Sequence, residues 1–144
     1  MIDKSDLYQI LSIKDDKGSS VYIIDLLKAF ARWSLNGIDI ENYKSTLHHD
    51  EPKRLNYFYL SDDVGLIIDK AIAQNKIKDP IGFCLFHAII FNNLQEHEIF
   101  KSRFVCRTYH KYKKRIYVSQ VNKLFTNFVN EIIKSILNGA IDKT

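Results

Sequence analysis

Positive charge is concentrated in one stretch of this sequence. Between Phe100 and Asn130 there is no Asp or Glu, whereas eight of the chain's 21 Lys and Arg side chains lie there. The stretch therefore carries a formal charge of +8, and the remaining residues, with 13 basic and 17 acidic side chains, carry −4. Such a local excess of like charge indicates a polyanionic partner. Nucleic acid is the first candidate, because each neutralised phosphate releases counterions. A solvated basic face without a partner is the alternative.

The basic residues of this stretch are interleaved with aromatic ones. Tyr109, Tyr112 and Tyr117 alternate with cations, and aromatic rings beside backbone charge are typical of proteins that bind single strands. Tyrosines that simply pack over the domain would give the same pattern. The cations that we expect to contact phosphate are Lys101, Arg103, Arg107, Lys111, Lys113, Lys114 and Arg115.

Two Cys–His pairs have the local spacing of metal ligands. Cys84 precedes His87 by three residues, and Cys106 precedes His110 by four, which places each pair on one face of a helix. A buried thiol and a core histidine are the commoner outcome in so apolar a segment as the one around Cys84. We therefore predict no metal or other cofactor and keep zinc as the alternative.

Motifs for catalysis are missing from the sequence. It has no glycine-rich phosphate loop, no G-x-S-x-G turn and no H-E-x-x-H pair. We expect a protein that is not an enzyme.

The composition predicts one all-α domain over residues 1–144, with a two-lobed arrangement divided near Leu47–Asn56 as the alternative. Only 5 Gly and 2 Pro are present, while 46% of the residues are apolar. No stretch is long and apolar enough for a membrane span, and neither a secretory signal nor a set of cysteines for disulfides is apparent, so we expect a cytoplasmic protein.

Capping residues and apolar spacing predict the individual helices. We expect a short helix capped by Ser5, a second capped by Ser20 and ended by Gly37, and a third opened by Ser61, Asp62 and Asp63. A helix over Ile81–Asn93, capped by Asp79, is expected next, followed by a short helix within Leu94–Phe104. A basic connection over Val105–Tyr117 then leads to the last helix, Val118–Leu137. We expect Ser119 to be the N-cap of this last helix and Gly139 to end it.

The order of the last elements resembles a helix-turn-helix unit over about residues 81–138. In such a unit the last helix enters the major groove, where Asn and Gln pair with adenine and Lys pairs with guanine. A connection of thirteen residues is longer than the three or four residues of the usual turn. The residues that we expect to read bases are Gln120, Asn122, Lys123, Thr126 and Asn127.

Several segments together resemble the bacteriophage late-gene antitermination proteins of the Q type. The similar features are the segment Leu27–Gly37 with Arg32-Trp33-Ser34, the pair Asp62-Asp63 that opens a helix, and the final helix Val118–Leu137. The similarity extends over about Leu26–Leu137 and concerns the order of elements and a few residues. The family has a helix-turn-helix of the kind found in region 4 of sigma factors.

The resemblance implies a specific function without catalysis. Proteins of this family bind double-stranded DNA near a late promoter, engage the paused host RNA polymerase and make it read through terminators. Two other functions stay open from the residues alone: a helical interaction module whose basic surface binds an acidic protein, and a single-strand RNA binder.

Overall fold

The structure, a computed structural model, describes residues 1–18, 20–36, 59–113 and 116–142. Over these residues the fold is all-α, as predicted: they contain two isolated β-bridges and no strand. The chain divides into two compact units, Met1–Ile68 and Asp69–Thr144, which we call unit 1 and unit 2.

Unit 1 contains helices α1 (Lys4–Ser12) and α2 (Ile23–Asn36) and the beginning of α3 (Asp62–Lys78). The cap of α1 is Asp3, whose carboxylate accepts from the backbone N–H of Asp6 at 2.9 Å, while the Asp6 carboxylate accepts from the N–H of Asp3 at 3.1 Å. The prediction of Ser5 as the cap is wrong, because Ser5 lies inside the first turn and its hydroxyl donates to Asp3.

The start of α2 also differs from the prediction. Ser20 forms an antiparallel β-bridge with Lys14, and the helix begins three residues later at Ile23. Gly37, the predicted end of α2, lies outside the described residues. The predicted cap of α3 is confirmed: the Ser61 hydroxyl accepts from the N–H of Val64 at 3.3 Å.

Over its described residues, unit 2 contains the rest of α3 and five further helical segments. As predicted, Asp79 caps helix α4 (Pro80–Phe86) and accepts from the N–H of Gly82 at 2.9 Å. A π-helical turn (His87–Phe91) continues α4, and a 3₁₀ helix (Glu96–Lys101) follows it. The last two helices are α5 (Arg103–Tyr112) and α6 (Val118–Asp142).

Three expectations for unit 2 are wrong. The predicted connection Val105–Tyr117 is mostly helix α5, because Ser102 caps a new helix after the 3₁₀ segment and accepts from the N–H of Val105 at 3.3 Å. Ser119 lies in the first turn of α6 instead of capping it, and Gly139 lies within this helix instead of ending it. The chain between α5 and α6 is therefore only residues 113–117.

The core of unit 2 connects the elements around this short connection. Helix α4 packs against both α5 and α6, and the buried cluster joins Cys84 and Leu85 of α4, Ile99 of the 3₁₀ helix, Val105 of α5 and Val121 of α6. The end of α3 is tied to α6 by the Asn75 amide, which donates to the Ser135 hydroxyl at 3.0 Å. Helices α5 and α6 therefore both pack against α4.

Candidate nucleic-acid interface

Helix α5 presents a row of cations to solvent. Arg103, Arg107 and Lys111 lie four residues apart, so they share one face of the helix, and all three are exposed. Val105 and Thr108, which lie away from this row on the same helix, are buried. Their burial fixes the direction of the row, which we call the cation stripe (Arg103, Arg107 and Lys111).

The cation stripe has no neutralising carboxylate in the part of the chain that the structure describes. The two ion pairs found there are Lys101–Glu98 at 3.5 Å and Lys134–Glu131 at 3.3 Å, both on exposed surface. Exposed pairs of this kind contribute less than about 1 kcal/mol. The positive charge of α5 is thus available to an external anion.

The residues predicted to contact phosphate fall into three groups. Arg103, Arg107, Lys111 and Lys113 are exposed on α5 or at its end. Lys101 is exposed but paired with Glu98 at the end of the 3₁₀ helix. Lys114 and Arg115 lie outside the described residues.

The residues predicted to read bases share the exposed face of α6. The other face of this helix is buried through Val121, Phe128 and Ile132, so the polar face is turned to solvent. Gln120 is also used locally, because its side-chain oxygen accepts from the backbone N–H of Tyr117 at 3.1 Å. The exposed predicted residues are Gln120, Asn122, Lys123, Thr126 and Asn127.

An apolar groove lies along one side of the cation stripe. It measures about 660 Å³ between the end of α5 and the start of α6, and its lining includes Phe100, Tyr109, His110, Lys113, Ile116 and Tyr117. A smaller section of about 340 Å³ shares Phe100, Cys106 and His110 with it and extends to Arg103 and Arg107. We call the whole depression the tyrosine groove.

A second groove lies on the other side of the stripe. It measures about 580 Å³, and Lys76, Phe83, Phe104, Arg107, Lys111 and Tyr112 contribute to its lining. The Lys76 ammonium lies 4.8 Å from the centre of the Phe83 ring, a cation–π contact. Sequence reasoning missed this groove, because its residues come from three helices and become neighbours only when these helices pack.

The four Cys and His residues of the alternative zinc set are not brought together. Cys84 is fully buried and its thiol donates to the Ile81 carbonyl at 3.1 Å, whereas Cys106 and His110 are exposed. His87 stacks on Phe91, with ring centres 5.0 Å apart. Among the described residues no three His, Cys, Asp or Glu side chains form a group that could hold a metal ion.

Burial changes the acidity of several groups under this surface. Desolvation raises the pKa of the Cys84 thiol to about 11 and that of the Tyr109 hydroxyl to about 12. Desolvation, together with the charge of Lys76, lowers the pKa of the His87 imidazole. These directions favour the uncharged form of all three groups at neutral pH, so the charge of this region belongs to the exposed cations.

Comparisons with known proteins give no further indication. The chain matches none of the family models, curated proteins or solved structures with which it was compared. Within the described residues, no helix combines the length and the apolar character needed to cross a membrane.

Proposed function

We propose that this chain binds double-stranded DNA through the cation stripe and the exposed face of α6, and that it acts as a phage-type transcription antitermination factor. The observation that carries the proposal is the cation stripe, because three exposed cations with no carboxylate partner in the described structure are held in one line by a buried helix face. Such a line matches the regular negative charge of a phosphate backbone.

Helix α6 supports the DNA part of the proposal. Its exposed face offers Asn122 and Asn127 for adenine, Lys123 for guanine and Thr126 for a thymine methyl group. Residues 113–117 separate α5 from α6, which is close to the turn length of a helix-turn-helix unit. In this arrangement α5 contacts phosphates and the first turns of α6 read base edges.

Antitermination rests on the resemblance to the Q-type family. In that function DNA contacts load the protein near a late promoter and contacts with host RNA polymerase retain it. This function depends on binding free energy alone and requires no catalytic group. The alternative is an interaction module in which the same cations bind an acidic protein.

The first experiment measures binding of a labelled mixed-sequence duplex by fluorescence anisotropy over a series of salt concentrations. The variant carries Arg103→Gln, Arg107→Gln and Lys111→Gln, which remove the stripe with little change in helix propensity. The matched control carries Lys4→Gln, Lys17→Gln and Lys28→Gln, three exposed positions of unit 1.

We expect the stripe variant to bind more weakly and its log–log salt slope to fall by about 3, because each lost phosphate contact removes about 0.9. The control variant has the same net charge as the stripe variant and should keep the salt slope of the wild type. Equal slopes in both variants would contradict the proposed surface, and absence of binding even at low salt would favour the interaction module. If binding is found, read-through of a terminator in a reconstituted transcription reaction tests the antitermination part.

A further inference from the structure

The tyrosine groove has the chemistry of a stacking site. Phe100 and Tyr109 meet edge to face, with ring centres 5.6 Å apart and planes inclined by 64°, which fixes one aromatic wall. Tyr117, on the α6 side, is 57% exposed, and Phe100 is 40% exposed. Exposed aromatic surface of this kind is the platform on which unpaired bases stack.

The charge around the groove favours an anionic occupant. His110 and Lys113 belong to its lining, Arg103 and Arg107 line its smaller section, and no carboxylate contributes to either part in the described structure. An unpaired nucleotide combines an aromatic face with a phosphate and so matches both features. A paired base does not, because its faces are covered by its neighbours in the duplex.

We propose that the tyrosine groove binds unpaired nucleotides next to the duplex held by the cation stripe. A base would stack on Tyr117, and the adjoining phosphate would contact Lys113 and Arg107. The inference rests on the proposed function and deepens it: the preferred ligand is DNA with a locally unpaired strand, instead of an uninterrupted duplex.

The test compares two labelled DNAs, a fully paired duplex and the same duplex with a short unpaired run of thymidines in one strand. Both are titrated by anisotropy with the wild-type chain and with Tyr117→Ala, Tyr117→Leu and Tyr117→Phe. The fully paired DNA also reports folding, because a variant that binds it normally retains the cation stripe.

We expect the wild type to bind the interrupted DNA at least about fivefold more tightly, as the loss of one stacked base is worth a factor of about 5–150. Tyr117→Phe should keep this preference, whereas Tyr117→Ala and Tyr117→Leu should lose it and bind the paired duplex unchanged. Stacking requires a ring, which leucine lacks.

Other outcomes overturn the inference in distinguishable ways. Tight binding of the paired duplex without preference for the unpaired run would leave the proposed function in place and remove the inference. A preference retained by Tyr117→Leu and Tyr117→Ala would show that the unpaired strand does not stack on Tyr117, and would remove the inference. Failure to bind either DNA would refute the proposed function and the inference together.

Discussion

Lys113 combines a backbone cost with an exposed charge. It ends α5 in the left-handed conformation at φ 51°, where helices commonly have glycine, and its side chain lines the tyrosine groove. In this conformation a residue with a Cβ destabilises the folded state by about 1 kcal/mol relative to glycine. Glycine would recover only part of that free energy, because its unfolded state has more conformational freedom. Lys113 therefore places a cation in the groove at the expense of some stability.

Replacing Lys113 by glycine should separate stability from binding. We expect Lys113→Gly to raise the free energy of unfolding by about 0.5 kcal/mol and to lower DNA affinity, with the salt slope reduced by about 1. Denaturant melts and anisotropy titrations measure the two effects. Asn93→Gly is the control, since Asn93 also has a positive φ, 55°, but lies outside the grooves described above; its binding should be unchanged. A Lys113→Gly variant with wild-type affinity would remove Lys113 from the interface.

His87 predicts how stability depends on pH. Burial among Phe83, Phe91 and Phe104, with Lys76 adding to it, lowers the pKa of its imidazole below the ordinary 6.5. Below about pH 6.5 the unfolded chain takes up a proton that the folded chain resists, so stability falls as pH falls. The test compares Tm at pH 7.5 and pH 5.5, each about one unit from the ordinary pKa of 6.5 that applies to the unfolded chain. We expect the difference in Tm between these two pH values to be smaller in His87→Leu than in the wild type. Identical differences would show that His87 does not contribute.

At the scale of elements, a close contact between helices distinguishes two glycines. A Cβ on Gly65 of α3 would overlap the indole ring of Trp33 of α2, whereas a Cβ on Gly139 of α6 would meet nothing within 4 Å. Both glycines lie in helices, so both gain helix propensity on replacement by alanine. Only the packing differs.

The pair Gly65→Ala and Gly139→Ala should therefore have opposite effects. We expect Gly65→Ala to destabilise by about 1–2 kcal/mol, because overpacking exceeds the propensity gain, and Gly139→Ala to stabilise by about 0.5–1 kcal/mol. Equilibrium denaturation followed by circular dichroism measures both. Stabilisation by Gly65→Ala would show that the indole ring moves aside at little cost.

Local capping signals predicted the starts of α3 and α4 correctly, whereas the caps predicted for α1, α2 and α6 were wrong and α5 was missed. Asp79 followed by Pro80 fixes the start of α4, and Ser61 fixes that of α3, because each cap satisfies backbone donors within a few residues. Helix α5 was missed, since its charged residues obscured the cap at Ser102 and the apolar spacing of Val105 and Tyr109. The four-residue spacing of Arg103, Arg107 and Lys111 was the available signal.

At the scale of the whole molecule, charge separates between the two units. By count over the sequence, unit 2 has 13 basic and 6 acidic side chains, and unit 1 has 8 basic and 11 acidic ones. This asymmetry was visible from the sequence, because counting charges requires no fold. The grooves were not, because Lys76, Phe83 and Phe104 become neighbours only after three helices pack.

Trp33 makes unit 1 optically distinct. It is the chain's one tryptophan, and its indole N–H donates to the Asp62 carboxylate at 3.1 Å within that unit. Intrinsic fluorescence excited in the tryptophan band therefore reports directly on the environment of α2 and the start of α3, whereas the proposed interface belongs to unit 2, which has no tryptophan. The protein thus carries an intrinsic fluorescent label in unit 1, whereas its cation stripe belongs to unit 2. The unfolding of unit 1 can therefore be followed without attaching a dye.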